Sequence, residues 1–233
     1  IVDTVAAAGT IDYRMDEWGI DVTVGASQKG LMMPPGIGIV AAGEKALSAT
    51  KESTMPRLYW DWKTRLEAEH YRKFCGTAPQ LMVFGMREAL NMLFEEGLEN
   101  VFKRHRVLAA ATHAAVEVWG QAGTLSLNAV EPKERSNGVT TILTSDGIDA
   151  GQFRDICRDE MMVGLGGGLG DLSGKAFRIG HMGDINAPML YAALSAVEST
   201  LGYLNIKYAS GGVTAAIEYI TDVKKNETGP FSF

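Results

Sequence analysis

Cysteine is scarce: Cys75 and Cys157 are the only two in 233 residues. That is too few for a disulfide framework, and no Cys/His spacing fits a zinc site. The four histidines, His70, His105, His113 and His181, are scattered, and none forms an H-x-x-x-H pair. Metal-free chemistry inside the cell is therefore the default expectation. Excess positive charge is missing too. A formal net charge of −6 and a pI near 5.3 argue against a nucleic-acid partner. No apolar run reaches transmembrane length. No signal peptide is evident, since Asp3 interrupts the first apolar stretch and no basic segment precedes it. A cytoplasmic protein without a membrane partner is expected. The chain opens on "IVDTVAAAG", which reads as a buried strand with nothing before it, so a fragment of a longer protein is expected.

What is present is an α/β pattern. Strands are predicted at "IVDTV", "IDVTVGAS" and "IGIVAAG", with a helical turn "YRMDEWG" closed by Gly19. Helices are predicted at "EKALSATKES", at Lys63 to Tyr71, over "QLMVFGMREALNMLFEEG", and from Leu98 to Trp119. In the third of these Leu81, Phe84, Leu90, Leu93 and Phe94 recur at helical spacing. Beyond residue 120 come a strand "GVTTILTS", a helix capped by Asp149, a strand "KAFRIGHMG" carrying Arg178, and an amphipathic helix from Asn186 to Leu204. The tail "KKNETGPFSF" reads as loosely ordered. A parallel-sheet part followed by a smaller α+β part is the implied organisation.

Several motifs carry bland readings. The run "GLGGGLG" fits no G-x-G-x-x-G register, and "SGK" lacks the rest of a Walker loop, so a flexible connection is expected. His181 has no Ser or Cys nucleophile beside it and reads as structural. Both cysteines read as buried or inert thiols. "EEGLENVFKRHR" reads as a solvated helix face, with acids early and bases late.

Lys29 resists such a reading. It sits in "GASQKGLMMPPG", among small and apolar neighbours with no acid close in sequence. A snorkelling lysine is one account. A Schiff-base lysine is the other, because that chemistry wants an amine whose pKa is lowered by apolar or cationic surroundings. Asp3, a carboxylate inside an apolar strand, strengthens the second account. Two parallel strands would bring Asp3 and Lys29 to one carboxyl edge, where open α/β sheets bind ligands. An acid for a pyridinium nitrogen and an amine for an imine are what pyridoxal phosphate requires.

The stretch "VDTVAAAGTIDYRMDEWGIDVTVGASQKGLMMPPG" resembles the class V branch of fold-type-I pyridoxal-phosphate aminotransferases, nearest to the serine–glyoxylate and alanine–glyoxylate enzymes. The likeness continues through "YWDW", "REALNMLFEEGLENVFKRH", "GLGDLSGKAFRIGHMGD" and "GGVTAAIEYI". The resemblance implies a large, mostly parallel sheet domain followed by a small α/β domain. Residues 1–119 would be the C-terminal part of the large domain with interdomain helices, and 120–233 the small domain. It implies pyridoxal 5'-phosphate as cofactor, amino-acid and 2-oxo-acid substrates, and a homodimer with shared active sites. The phosphate-cradling loop would lie in an N-terminal part outside this chain, which by itself would bind cofactor poorly. Lys29 matches the Schiff-base lysine, Asp3 the partner of the pyridine nitrogen, and Val5 a residue against the ring face. Gln28 matches a phosphate or ring-oxygen contact. Thr77 matches a threonine reaching the neighbouring subunit's cofactor, near an aromatic position held by Phe74. Arg178 matches the arginine for the substrate α-carboxylate. Cys75 and Gly76 depart from the family pattern beside Thr77. Transamination from a small amino acid, serine favoured, to glyoxylate or a similar 2-oxo acid is the implied reaction. The alternatives are another class V enzyme (an aspartate- or alanine-using aminotransferase, or one like a cysteine desulfurase) and an inactive dimerising fragment.

Overall fold

The computed structural model describes residues 1–67 and 69–227. They form two compact units, Ile1–Leu98 and the residues from Glu99 onward.

The first unit is built on a three-stranded sheet. Strands β1 (Val2–Asp3) and β2 (Val22–Ala26) run parallel, and β3 (Gly38–Ala42) joins β2 antiparallel. The sheet is thus mixed rather than wholly parallel. Only 11 residues separate β2 from β3 (Ser27 to Ile37), room for a hairpin return but not for a helical crossover. The turn at 15–19 closes on Gly19 with φ +64°. Helix α1 (Glu44–Ala49) follows. The helix expected from 63 to 71 is instead two single turns, α2 (Trp62–Arg65) and α3 (His70–Lys73). Asp61 caps the first of these by accepting a hydrogen bond from the Lys63 amide at 3.1 Å.

Helix α4 (Gln80–Glu96) stops at Gly97, whose φ of +84° suits glycine. Its apolar stripe is only partly covered. Leu93 and Ala89 are buried, while Leu81, Phe84 and Phe94 stand 87%, 69% and 64% exposed. Ile37, Phe74, Val83, Met86, Leu90 and Phe94 line an apolar groove of 480 Å³ along it.

Helix α5 (Leu98–Gly120) packs with the second unit, although the division at 119/120 read from the sequence counts it with the first part. Strands β4 (Leu125–Leu127), β5 (Val139–Thr144), β6 (Gly166–Gly167) and β7 (Ala176–Gly180) form an antiparallel sheet in the order β4-β5-β7-β6. Helices α6 (Ala150–Asp159), α7 (Ala187–Tyr203) and α8 (Gly212–Asn226) complete the unit. Asp149 caps α6 as expected, accepting from the Gly151 amide at 2.7 Å. The contiguous hydrophobic core lies here, around Leu108, Trp119, Ile142, Phe153, Phe177 and Leu194. The rings of Phe153 and Phe177 stack at 4.6 Å.

Three sequence readings are corrected in this unit. The glycine run is partly strand: Gly166 and Gly167 pair with Arg178 and Phe177. At Gly168 a Cβ would stand 2.0 Å from the Leu172 carbonyl oxygen, a backbone clash that explains glycine there better than flexibility does. The basic end of "EEGLENVFKRHR" is only partly a solvated face: Arg106 is exposed, but Arg104 and His105 are buried. Arg104 donates to the Gly183 and Ile185 carbonyls at 2.7 and 3.1 Å, so a loop's carbonyls satisfy its charge in the interior. Lys224 to Asn226 end helix α8 rather than a loose tail. The remainder of that expectation, residues 228–233, lies outside the described residues. Cys157 is buried, as expected, and burial pushes its thiol pKa up, but Cys75 is exposed.

Candidate active site

The parallel pairing of β1 with β2 fixes the first two residues of interest. Asp3 ends β1 and lies opposite Val24. Lys29 follows three residues after β2 ends at Ala26. Both therefore emerge at the carboxyl end of the same strand pair, where such sheets offer ligands a crevice.

The turns that carry them are tightly built. Thr4, buried beside Asp3, uses its amide and hydroxyl to donate to the Val24 carbonyl at 2.7 and 3.0 Å. Asp3 Oδ1 accepts from the Val5 amide at 2.8 Å, which orients the carboxylate across the loop. Among the described residues Oδ2 has no partner, and the carboxylate is exposed. The loop after Asp3 then meets the lysine turn backbone to backbone. A Cβ on Gly30 would stand 2.2 Å from the Ala8 carbonyl oxygen, and one on Gly9 would stand 2.7 Å from the Gly30 oxygen. Only glycines permit that approach. Lys29, half-buried, has no ion-pair partner among the described residues.

The remaining expected positions fall in different places. Val5 is half-buried directly after Thr4, and Gln28 is exposed next to Lys29. Thr77 is exposed in the segment between α3 and α4, where Cys75 has φ +57° and Gly76 φ +148°. No hydrogen bond joins Thr77 to Asp3 or Lys29 among the described residues. Arg178 lies on β7 in the second unit. Its Nε donates to the Gly167 carbonyl at 2.7 Å, and neither Nη has a partner among the described residues. No ion pair joins it to Asp171 or Asp184. The guanidinium is thus held at its base with its terminal edge free.

His181 is structural. It is fully buried, with Nε2 at 2.8 Å from Thr140 Oγ1 and Nδ1 at 2.9 Å from the Asn137 carbonyl. Burial lowers its pKa to about 4. Sequence reasoning missed Ser27, which is wholly buried and knits the lysine turn together. Its signal was adjacency: a small polar residue inside an apolar strand end, two positions before Lys29.

Residues 1–169 match the family model for class-V aminotransferases. The chain belongs to that family. It is 39% identical over 227 residues to a serine–glyoxylate aminotransferase of Methylorubrum extorquens, covering 95% of this chain and 56% of that protein. An L-aspartate–glyoxylate aminotransferase of Paracoccus denitrificans is 36% identical over 219 residues, with 94% of this chain and 54% of that protein covered. The crystal structure of pyridoxamine–pyruvate aminotransferase from Mesorhizobium loti superposes with a TM-score of 0.86 at 29% identity, over 96% of this chain and 57% of that one. The class-V aminotransferase chain therefore has part of the fold-type-I α/β architecture and spans about half the length of the curated relatives it matches. No helix among its described residues is long and apolar enough to cross a membrane.

Proposed function

We propose that the protein carrying this chain is a pyridoxal-phosphate-dependent aminotransferase, moving an amino group from a small amino acid to glyoxylate or a similar 2-oxo acid. Serine is the favoured donor, on the relatives' names. One observation carries the reading: a parallel strand pair delivers a free amine and a half-open carboxylate from two turns in direct backbone contact.

The donor set suits the cofactor. Lys29 would hold it covalently, and the open oxygen of Asp3 would accept the proton on the pyridine nitrogen. Val5 would lie against the ring and Gln28 at its phosphate or ring oxygen. Bound there, pyridoxal phosphate supplies an electron sink for the carbanion left at the substrate's Cα. Lys29 would serve as the general base for the Cα proton. Asp3 would hold the proton on the ring nitrogen, and Arg178 would bind the substrate α-carboxylate through its free Nη edge. In the whole protein, 1–119 would complete the large domain and 120–233 form the small one. The enzyme would be a homodimer, with Thr77 reaching the other subunit's cofactor.

Borohydride reduction of the full-length protein with pyridoxal phosphate, followed by peptide mapping, tests this. Label on Lys29 is expected, together with its loss and loss of transamination in Lys29→Ala. Label on another lysine overturns the assignment. A donor panel with glyoxylate as acceptor then ranks serine, alanine and aspartate.

A further inference from the structure

The turn that carries Lys29 is tied by Ser27. Ser27 is 0% exposed and makes four hydrogen bonds that close the turn on both sides of the lysine. Its hydroxyl donates to the Pro34 carbonyl at 2.8 Å and accepts from the Ile37 amide at 3.2 Å. Its amide donates to the Ile37 carbonyl at 3.0 Å, and its carbonyl accepts from the Met33 amide at 3.0 Å. Met32, at φ +61°, closes the inner turn by donating to the Lys29 carbonyl at 2.9 Å. The 11 residues from Ser27 to Ile37 therefore form a loop tied at its neck by the hydroxyl and the backbone of Ser27, with the lysine on one limb. Gly30 presses the same limb against the loop that follows Asp3.

We infer that Ser27 is a positioning residue: its hydroxyl sets where the Lys29 amine sits, and so how readily that amine reaches an aldehyde carbon. The inference rests on the reading of Lys29 as the Schiff-base residue. A buried hydroxyl bonded only for stability would serve as well anywhere in the core. This one joins the two ends of the segment that carries the reactive amine. Without it the Pro34 carbonyl and the Ile37 amide lose a shared partner, and the neck is left with the two backbone bonds to Ile37 and Met33. Lys29 then samples more directions, and misaimed attack is slow even where the fold survives.

The test uses the full-length protein, freed of cofactor, in wild-type, Ser27→Ala, Ser27→Thr and Ser27→Cys forms. Two quantities are measured. One is the rate of covalent capture of pyridoxal phosphate, followed by its visible absorbance and by borohydride-trapped label on Lys29. The other is the affinity for pyridoxamine phosphate, which has no aldehyde and cannot join to a lysine. Ser27→Ala should slow capture on the order of tenfold, as expected for lost alignment. It should leave pyridoxamine-phosphate affinity within about threefold of wild type, since ordinary binding needs no aimed amine. Ser27→Thr keeps the hydroxyl and should recover most of the rate. Thr112→Val, which removes another buried hydroxyl bond (to the Leu108 carbonyl, 2.9 Å), should leave capture unchanged. If Ser27→Ala does not fold, Ser27→Cys decides, because it keeps the volume with a weaker donor. Wild-type capture in the folded variant overturns the inference, and so does an equal loss of both quantities. Failure to label Lys29 in the wild type overturns the underlying reading instead.

Discussion

On the proposed function, Asp3 needs little from its own side chain's neighbours. One carboxylate oxygen is committed to the Val5 amide, and the other is open at a strand end. Asn in its place can still accept from Val5 but cannot hold a ring proton by charge. Asp3→Asn should weaken cofactor binding and cut turnover by orders of magnitude, each tenfold being about 1.4 kcal/mol of barrier. Near-normal turnover would remove Asp3 from its role. Arg178 is the second test at this scale. Its Nε bond to Gly167 leaves the Nη pair free, and on the proposed function that pair would bind the carboxylate common to the amino-acid and 2-oxo-acid substrates. Arg178→Ala should lower kcat/KM for both half-reactions by a similar factor, equivalent to about 2–5 kcal/mol for a charge pair broken on one side. Arg178→Lys should recover only part, because an ammonium cannot make two parallel bonds. A loss confined to one substrate would show that Arg178 is not the shared anchor.

At the scale of elements, local signals were readable where they were chemically strong. Gly97 ends α4 and Asp149 starts α6 as their residue types dictate. The pairing of β1 with β2 was legible because apolar runs flanked by a small-residue loop suit parallel strands. The antiparallel direction of β3 was legible too, in the 11 residues between it and β2, which are too few for a helical crossover. Two things were not legible, and each depends on tertiary contact. The burial of Arg104 depends on carbonyls about 80 residues away. Gly166 and Gly167 are strand because β7 lies beside them. Gly212 is a similar case. Its missing side chain admits Trp119, whose Nε1 would lie 2.2 Å from a Cβ there and which donates to Glu198 at 2.8 Å. Glu198 in turn accepts from the Val213 amide at 3.3 Å, so α5, α7 and the start of α8 meet at one carboxylate. Gly212→Ala should cost about 1–3 kcal/mol of stability through forced displacement of the indole. Urea unfolding checks this, and an unchanged midpoint would mean that the indole has room to move.

The whole molecule is built unevenly with respect to acid. Three of its four histidines, His105, His113 and His181, lie in the second unit, which also holds the contiguous core. His105 receives the Gly183 amide proton on Nε2 at 3.0 Å, an arrangement that needs a neutral ring. Burial lowers both His181 and His113 to about 4, and their rings meet edge to face at 6.4 Å. For His113 the nearby Arg135 cation adds to the effect; for His181 the other two histidines do. A histidine near 6.5 when unfolded and near 4 when folded binds more protons in the unfolded chain between those values. Stability is then fully present above about pH 6.5 and falls as pH drops toward 4, by about 2 kcal/mol at pH 5 for His181 alone. Amide hydrogen exchange at pH 7.5 and pH 5, corrected for intrinsic rates, should show protection falling in residues 99–227 through this window. His181→Gln loses a buried ring and should be less stable at pH 7.5, yet its stability should change less between the two pH values than that of the wild type. An equal pH dependence in the two proteins would mean that His181 keeps an ordinary pKa in the folded chain, and that the acid response of this unit has another origin.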